Sequence, residues 1–153
     1  MTFSIFVPET TARYSAPPPV LYYLSGLTCT DQNVKEKGAI YNFAAKWGLC
    51  VVMPDTSPRG VVVEGQNDHW DFGDSAGYYL NATEPKWKNW QMADYVTKEL
   101  PSVVEKLFVV DNSRRGVTGH STGGHGAMIS HFRNPGMFKS VSAFAPMCNP
   151  SEC

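Results

Sequence analysis

The chain has 153 residues and a net charge of −1 at neutral pH, with 42% hydrophobic and 18% charged residues. This length and balance are typical of one soluble globular domain with a sizeable core. The near-neutral charge gives no reason to expect nucleic acid or an anionic membrane as a partner. No apolar run is long enough to cross a bilayer.

The cysteines and the N-terminus bear on the cellular compartment. There are four cysteines, and none of them are in C-x-x-C spacing: Cys29, Cys50, Cys148 and Cys153. Scattered cysteines of this kind favour reduced thiols over a disulfide framework. Residues 1–8 lack the basic start and the long apolar stretch of a signal peptide. We therefore expect a cytoplasmic protein.

Three strands are predicted in the first third of the chain. Residues 2–7 alternate apolar and polar side chains, which is typical of a half-buried strand. Residues 20–24 and 49–53 are continuous apolar runs, as expected for buried strands of a parallel sheet. A single helix is predicted between the last two, capped by Thr30 or Asp31 and stopped at Gly48. Its apolar residues recur at i, i+3, i+4 and i+7, namely Ile40, Phe43, Ala44 and Trp47.

Residues 55–86 show neither helical nor strand periodicity. A loop of that length in a compact domain is usually functional. It carries several aromatic residues that are candidates for the wall of a binding pocket: Trp70, Phe72, Tyr78 and Tyr79.

The second half of the chain alternates helix and strand again. Apolar residues at helical spacing run from 92 to 107, and Pro101 either kinks one helix or starts a second. Residues 107–110 and 116–119 lead into a strand, a helix follows through Phe132, and residues 140–145 form a last strand. This order predicts an α/β fold, a mostly parallel sheet with helices on both faces, in one domain spanning 1–153.

The pattern Gly119-x-Ser121-x-Gly123 lies between the predicted strand and helix. In that context it is typical of a nucleophile elbow, where a serine stands on a sharp turn flanked by glycines. An acid and then a histidine are expected downstream of such a serine.

The residues after Ser121 do not supply those partners. From 122 to 153 there is no Asp, and Glu152 is the only Glu. His125 and His131 both lie on the helix that the serine opens, so neither is placed to act as its base. His69 is the only conceivable substitute base, and His120 is expected to pack beside the elbow. The histidine spacing predicts no metal site.

Five segments together carry a family resemblance. They are LSGLTCT (24–30), PDTSPRG (54–60), WDFG (70–73), GHSTGGHG (119–126) and SVSAFAP (140–146). In these the chain resembles the S-formylglutathione hydrolase (esterase D) family of α/β-hydrolases. The resemblance implies an α/β-hydrolase fold, here incomplete, and hydrolysis of S-formylglutathione to glutathione and formate in formaldehyde detoxification. It implies no cofactor.

The resemblance also assigns roles to residues. It implies that Ser121 is the nucleophile and that the backbone N–H groups of Leu27 and Thr122 form the oxyanion hole. Thr122 stands where a methionine is expected, but only its backbone is needed. The family has extra strand residues before the position of Met1. It continues beyond residue 153, where its acidic and histidine triad members lie, so the chain is expected to be truncated.

Several alternatives stay open. Cys29, Trp70 and Phe72 are candidates for the substrate pocket, although Cys29 is equally well explained as a buried inert thiol. The protein is a hydrolase of S-formylglutathione, a general carboxylesterase or acyltransferase of the same fold, or a catalytically dead remnant without its Asp and His. The expected partner is a small-molecule substrate, and a homodimer is left open.

Overall fold

A five-stranded sheet forms the centre of the computed structural model, which describes residues 1–9 and 16–152. The strand order is β1-β3-β2-β4-β5. The strands are β1 Phe3–Phe6, β2 Pro19–Leu24, β3 Cys50–Pro54, β4 Asp111–His120 and β5 Ser140–Phe144. Only β1 runs antiparallel to its neighbour, and the other three pairings are parallel. The predicted mostly parallel sheet is therefore confirmed.

Helices cover the sheet on both faces, as predicted. They are α1 Gln32–Lys37, α2 Ile40–Trp47, α3 Met92–Asp94, α4 Leu100–Leu107 and α5 Thr122–Arg133. Residues of β2 and β4 pack with α3, α4 and α5 in the larger core cluster. Residues of β3 pack with α1 and α2 in a smaller one. None of the described helices is long and apolar enough to cross a membrane.

The strand β2 is buried on one face only, although its continuous apolar run predicts burial on both. Val20, Tyr22 and Leu24 are fully buried, whereas Leu21 and Tyr23 are half-buried. The reason is that α1 and α2 pack over β3 and leave the neighbouring strands uncovered. The resulting groove, which we call the open sheet face, is lined by side chains that include Leu21, Tyr23, Thr118, Ser142 and Phe144.

The helix expected from residue 30 to Gly48 is in fact two helices. Asp31 is the N-cap residue of α1 and makes no side-chain capping bond, but the hydroxyl of the preceding Thr30 accepts the N–H of Gln32 at 3.1 Å. The chain then breaks between α1 and α2, because Ala39 adopts a left-handed conformation with φ of 48°. Gly48 ends α2 with φ of 60°, as predicted.

Pro101 lies in the first turn of α4, directly after a π-helical turn. The segment Tyr95–Glu99 between α3 and α4 is a π-helical turn, in which the N–H of Leu100 donates to the carbonyl of Tyr95. A proline cannot donate a backbone N–H and crowds the carbonyl four residues earlier. The wider π turn accommodates this change without ending the helix.

The approach to Ser121 differs from the predicted strand. Leu107 is the last residue of α4, and the N–H of Phe108 still donates to the carbonyl of Val104 at 3.0 Å. The strand β4 begins only at Asp111, so residues 107–110 are helix end and connection. Their apolar character reflects packing of Phe108 and Val110 against the core rather than strand pairing.

The long loop predicted over residues 55–86 is present. In the described structure, residues 55–84 form no helix or ladder strand, and a short 3₁₀ turn follows at Pro85–Trp87. The loop begins at Asp55, directly after β3, and leads through the 3₁₀ turn to α3. It crosses the end of the sheet where β2 and β4 finish, because Tyr79 packs on Gly126 and reaches the carbonyl of Ser25.

Candidate active site

Ser121 lies alone between β4 and α5 in a strained backbone conformation. Its φ and ψ are 59° and −122°, a combination that side-chain-bearing residues rarely adopt. Its N–H donates to the carbonyl of Phe144 at 3.0 Å, and its carbonyl accepts the N–H groups of His125 and Met147. The predicted strand–turn–serine–helix arrangement is therefore present, and hydrogen bonds hold the strained residue in place.

The two glycines that flank Ser121 allow the turn to be this tight. A Cβ atom on Gly119 would lie 2.2 Å from the carbonyl oxygen of Gly123. One on Gly123 would lie 1.9 Å from the carbonyl oxygen of Leu24. Both distances are far below van der Waals contact, so no larger side chain fits at either position. The glycines of the pattern thus bring the start of α5 against the end of β2.

The loop after β2, residues 25–30, lies directly against Ser121. A Cβ atom on Gly26 would be 3.1 Å from the Cβ of Ser121. Thr122 is the first residue of α5, where backbone N–H groups lack partners within the helix. Neither its N–H nor that of Leu27 donates to a described protein acceptor. The two free donors thus lie on the residues that follow Ser121 and Gly26, and an oxyanion hole requires two such donors.

A cleft of about 430 Å³ adjoins this turn and gathers several predicted residues. It is lined by Leu27, His69, Trp70, Asp71, Phe72, Tyr78, Met147 and Pro150. Met147 places the cleft beside Ser121, because Met147 lines the cleft and its N–H donates to the Ser121 carbonyl. Trp70 and Phe72 thus line the same cavity as Leu27.

Cys29, the third residue predicted for the pocket, lines a different cavity from Trp70 and Phe72. It faces a separate cavity beside Gly26, Lys37 and His120. The reason is the turn of the 25–30 loop, which places Leu27 and Cys29 toward different cavities. Cys29 is half-buried, so it is not the buried inert thiol of the other interpretation either.

The histidines are spread over different surfaces. His69 is exposed and lines the cleft. His120, expected to pack beside the elbow, is instead exposed and lines the open sheet face, because strand alternation points it away from α5. Burial lowers the pKa of His125, and its Nε2 has no partner within the described residues. Within residues 1–9 and 16–152, no hydrogen bond joins a histidine ring to Ser121, and there is no metal-binding cluster.

Sequence reasoning did not find a second cavity, of about 330 Å³, that adjoins the cleft. The two share Phe72, Tyr78 and Pro150. Trp87 packs edge-on against both Phe72 and Trp90, with ring centroids 4.9 and 5.2 Å apart. The sequence signal was the density of aromatic residues between 70 and 90, but no periodicity connects them.

Tyr79 also differs from its predicted place in the pocket wall. Its ring is fully buried beneath α5 and its hydroxyl donates to the carbonyl of Ser25 at 2.7 Å. Burial raises the pKa of this hydroxyl well above its ordinary value. Tyr79 therefore supports the 25–30 loop from inside the core instead of facing a ligand.

The sheet order, the helices on both faces and the strained serine between strand and helix define an α/β-hydrolase fold. A family model described as putative esterase matches residues 1–153, and the chain belongs to that family. It is 53% identical to the S-formylglutathione hydrolases of Bos taurus and Arabidopsis thaliana, over all of this chain and 54% of each relative.

A solved structure agrees with these relatives. The S-formylglutathione hydrolase from Agrobacterium tumefaciens superposes with a TM-score of 0.91 at 50% identity, covering 97% of this chain and 53% of that enzyme. The chain therefore spans about half the length of the relatives it matches.

Proposed function

We propose that this chain supplies the nucleophile and the oxyanion hole of a serine hydrolase that cleaves S-formylglutathione. The observation that carries the proposal is the strained Ser121 turn, with Gly26 against its Cβ and two free N–H groups beside it. Identity of 50–53% to S-formylglutathione hydrolases supports the choice of substrate.

The reaction follows from these groups. The Ser121 hydroxyl attacks the formyl carbon while a histidine base takes its proton, and the carbonyl oxygen becomes an oxyanion bound by the N–H groups of Leu27 and Thr122. The carbon–sulfur bond then breaks, and glutathione leaves as a thiol after receiving that proton. Water attacks the formyl-serine ester in the same way and releases formate. We assign the base and its acid to the part of the relatives that this chain does not match.

The shape of the cleft suits a small acyl group attached to a larger thiol. Leu27 and Met147 lie at the Ser121 end, where the formyl group would bind. Exposed His69, Trp70 and Asp71 lie along the rest of the cleft, where a tripeptide would contact them. We assign the glutathione moiety to this outer part.

A general carboxylesterase is the second candidate, and the adjoining aromatic cavity favours it. The indole N–H of Trp90 already donates to the carbonyl of Gly73, and the Tyr78 hydroxyl to that of Asp71. With these polar groups satisfied, the cavity suits an apolar group such as an aryl ring. An aryl ester bound at Ser121 could extend into it past Phe72.

The test uses two proteins. One is the 153-residue chain, and the other, the joined protein, is this chain with the unmatched parts of the Agrobacterium tumefaciens enzyme added before and after it. We expect the joined protein to hydrolyse S-formylglutathione, with activity at least ~10³-fold lower for the chain alone and for Ser121→Ala in the joined protein. Full activity of Ser121→Ala would contradict the assignment of the nucleophile.

Comparing two substrates decides between the candidates. We expect kcat/KM of the joined protein to be higher for S-formylglutathione than for a phenyl ester of a short acid. Trp87→Ala should lower only the aryl-ester value, and Trp47→Ala, an exposed tryptophan on α2, should lower neither. A higher value for the aryl ester would favour the carboxylesterase.

We place the reaction in the cytoplasm, without nucleic acid or membrane partners. Cys29, Cys50 and Cys148 are free thiols, and Cys148 is exposed, which supports a reducing compartment because an exposed thiol persists there. The net charge of −1 supports the absence of an electrostatic partner. Light scattering of the joined protein would show whether it is a monomer or a homodimer.

A further inference from the structure

The Leu27 N–H is held in place indirectly. This group has no described hydrogen bond of its own, yet an oxyanion donor must stand within about 3 Å of the developing charge. Three residues close to Leu27 are bound by the segment that follows β3, namely Ser25, Thr28 and Cys29. We infer that Thr56, supported by the Asp55–Arg59 ion pair, is a positioning residue for the Leu27 donor. This inference rests on the proposed function.

The loop needs such support because it is strained. Thr28 has φ of 65°, and a β-branched residue in the left-handed region is a rare outlier. Strain of this kind costs about 1–3 kcal/mol and persists only where the surroundings enforce it. The Thr28 N–H donates to the carbonyl of Ser75 at 3.3 Å, so one of the enforcing contacts comes from the 55–84 loop.

Thr56 binds the 25–30 loop through its side chain. Its hydroxyl donates to the carbonyl of Cys29 at 2.5 Å, two residues after Leu27. Thr56 is 3% exposed, whereas Cys29 is half-buried, so the donor side of the bond lies in the interior. On the other side of Leu27, the Tyr79 hydroxyl holds the carbonyl of Ser25. Leu27 therefore lies between two hydroxyl-to-carbonyl hydrogen bonds, a buried one from Tyr79 and a partly buried one from Thr56.

The Asp55–Arg59 pair fixes Thr56 itself. Asp55 directly follows β3, and its carboxylate, 4% exposed, receives Arg59 Nε at 2.7 Å and Nη2 at 3.0 Å. The same carboxylate accepts the Thr56 N–H at 2.7 Å. Arg59 Nη2 also reaches the Ser75 hydroxyl at 2.8 Å and the Cys29 carbonyl at 3.5 Å. The Asp55–Arg59 ion pair, which is formed by two hydrogen bonds, therefore connects the end of β3 to Thr56 and Ser75. These are two of the residues that bind the 25–30 loop.

The consequence is specific to the transition state. A relaxed loop would move the Leu27 N–H away from the oxyanion without altering the outer cleft, where Trp70 and Phe72 lie. Loss of Thr56 should therefore lower kcat and leave KM nearly unchanged, because the oxyanion forms only after the substrate binds.

The experiment compares three variants in the joined protein. Thr56→Val removes the hydroxyl at nearly constant volume, and we expect kcat to fall about tenfold with KM within twofold. Thr56→Ser keeps the hydroxyl and should restore kcat to within threefold. Thr97→Val is the matched control: it removes a hydroxyl bond to the carbonyl of Ala93, within the α3–α4 helix and away from the loop. Its kcat should stay within twofold. Equal kcat for Thr56→Val and Thr97→Val would overturn the inference.

A second measurement separates this inference from the proposed function. Amide hydrogen exchange should become at least tenfold faster over residues 26–29 in Thr56→Val than in Thr97→Val, with protection of the β2, β3 and β4 strands unchanged. If the joined protein has no activity, the proposed function fails, and exchange alone decides whether Thr56 holds the loop. Unchanged exchange over residues 26–29 would overturn the positioning role.

Discussion

The environment of Cys50 determines how its thiol reacts. It is the first residue of the internal strand β3 and is fully buried, and burial raises the pKa of the thiol from about 9 to about 12. The thiolate is the reactive form, so Cys50 should resist a disulfide reagent at pH 8. We expect mass spectrometry of the folded joined protein to find Cys148 modified first and Cys50 modified only in denaturant. Equal rates for Cys50 and Cys148 would show that the strand opens.

The same pKa shift predicts a stability change with pH. Because the folded-state pKa is the higher one, the unfolded thiol loses its proton first as pH rises, and the unfolded state is stabilised. The contribution of Cys50 is therefore complete below pH 9 and declines between pH 9 and 12. Cys50→Ala should show a smaller loss of unfolding free energy over this range, measured by urea denaturation. A parallel pH profile for both proteins would contradict the shift.

Gly123 lies too close to the end of β2 to accept a side chain. Gly123→Ala places a methyl group 1.9 Å from the carbonyl oxygen of Leu24, so α5 must move away from β2. We expect a loss of at least ~3 kcal/mol of unfolding free energy in the joined protein. Gly60→Ala is the control: φ is 79° but nothing lies within 4 Å, so backbone strain alone should cost about 1 kcal/mol. Similar losses at the two glycines would contradict the tight packing.

Among the secondary-structure elements, the break between α1 and α2 can be tested directly. Ala39 is exposed and has φ of 48°, a conformation that glycine adopts at lower cost. Ala39→Gly should therefore raise the free energy of unfolding by ~0.5–1 kcal/mol. The matched Ala45→Gly, exposed within α2, should lower it by ~1 kcal/mol. Destabilisation by both substitutions would mean that residues 30–48 form one helix, as the periodicity alone predicts.

These elements also show what sequence patterns can and cannot predict. The apolar runs of β2 and β3 and the glycine stop of α2 were predicted, because each depends on neighbouring residues. The break at Ala39 was not, since a helix-favouring alanine gives no local signal for it. The start of β4 was also misplaced: Asp111 pairs with Pro19 through the fold, while its own side chain is polar. Tertiary contacts decide such boundaries.

Across the whole molecule, the candidate site was predicted where it depends on a short motif. Gly119, Ser121 and Gly123 lie within five residues, and their strand-and-helix context could be read from periodicity. The hydroxyl of Thr56 on the carbonyl of Cys29 joins residues 27 positions apart and has no such signal. The aromatic cavity around Trp87 likewise depends on how a loop without periodicity folds back on itself.

The uncovered parts of the sheet predict how the 153-residue chain behaves in solution. The strand β5 pairs only with β4 in the described structure, so its outer edge offers unpaired N–H and C=O groups. Phe144 at its end is 59% exposed, and it adjoins the open sheet face, whose half-buried Leu21 and Tyr23 also meet water. Burying this edge and groove against a second copy removes apolar surface from water, so we expect the chain alone to associate.

Size-exclusion chromatography with light scattering measures this association. We expect the chain alone to be dimeric or larger and to shift with concentration, and Ser142→Lys to reduce that association, because a lysine on the exposed side of β5 hinders pairing and groove burial. Ser151→Lys, an exposed position outside the sheet, adds the same charge and should leave association unchanged. A monomer at high concentration with a sharp thermal transition would mean that the edge and the open sheet face are stable in water as they stand.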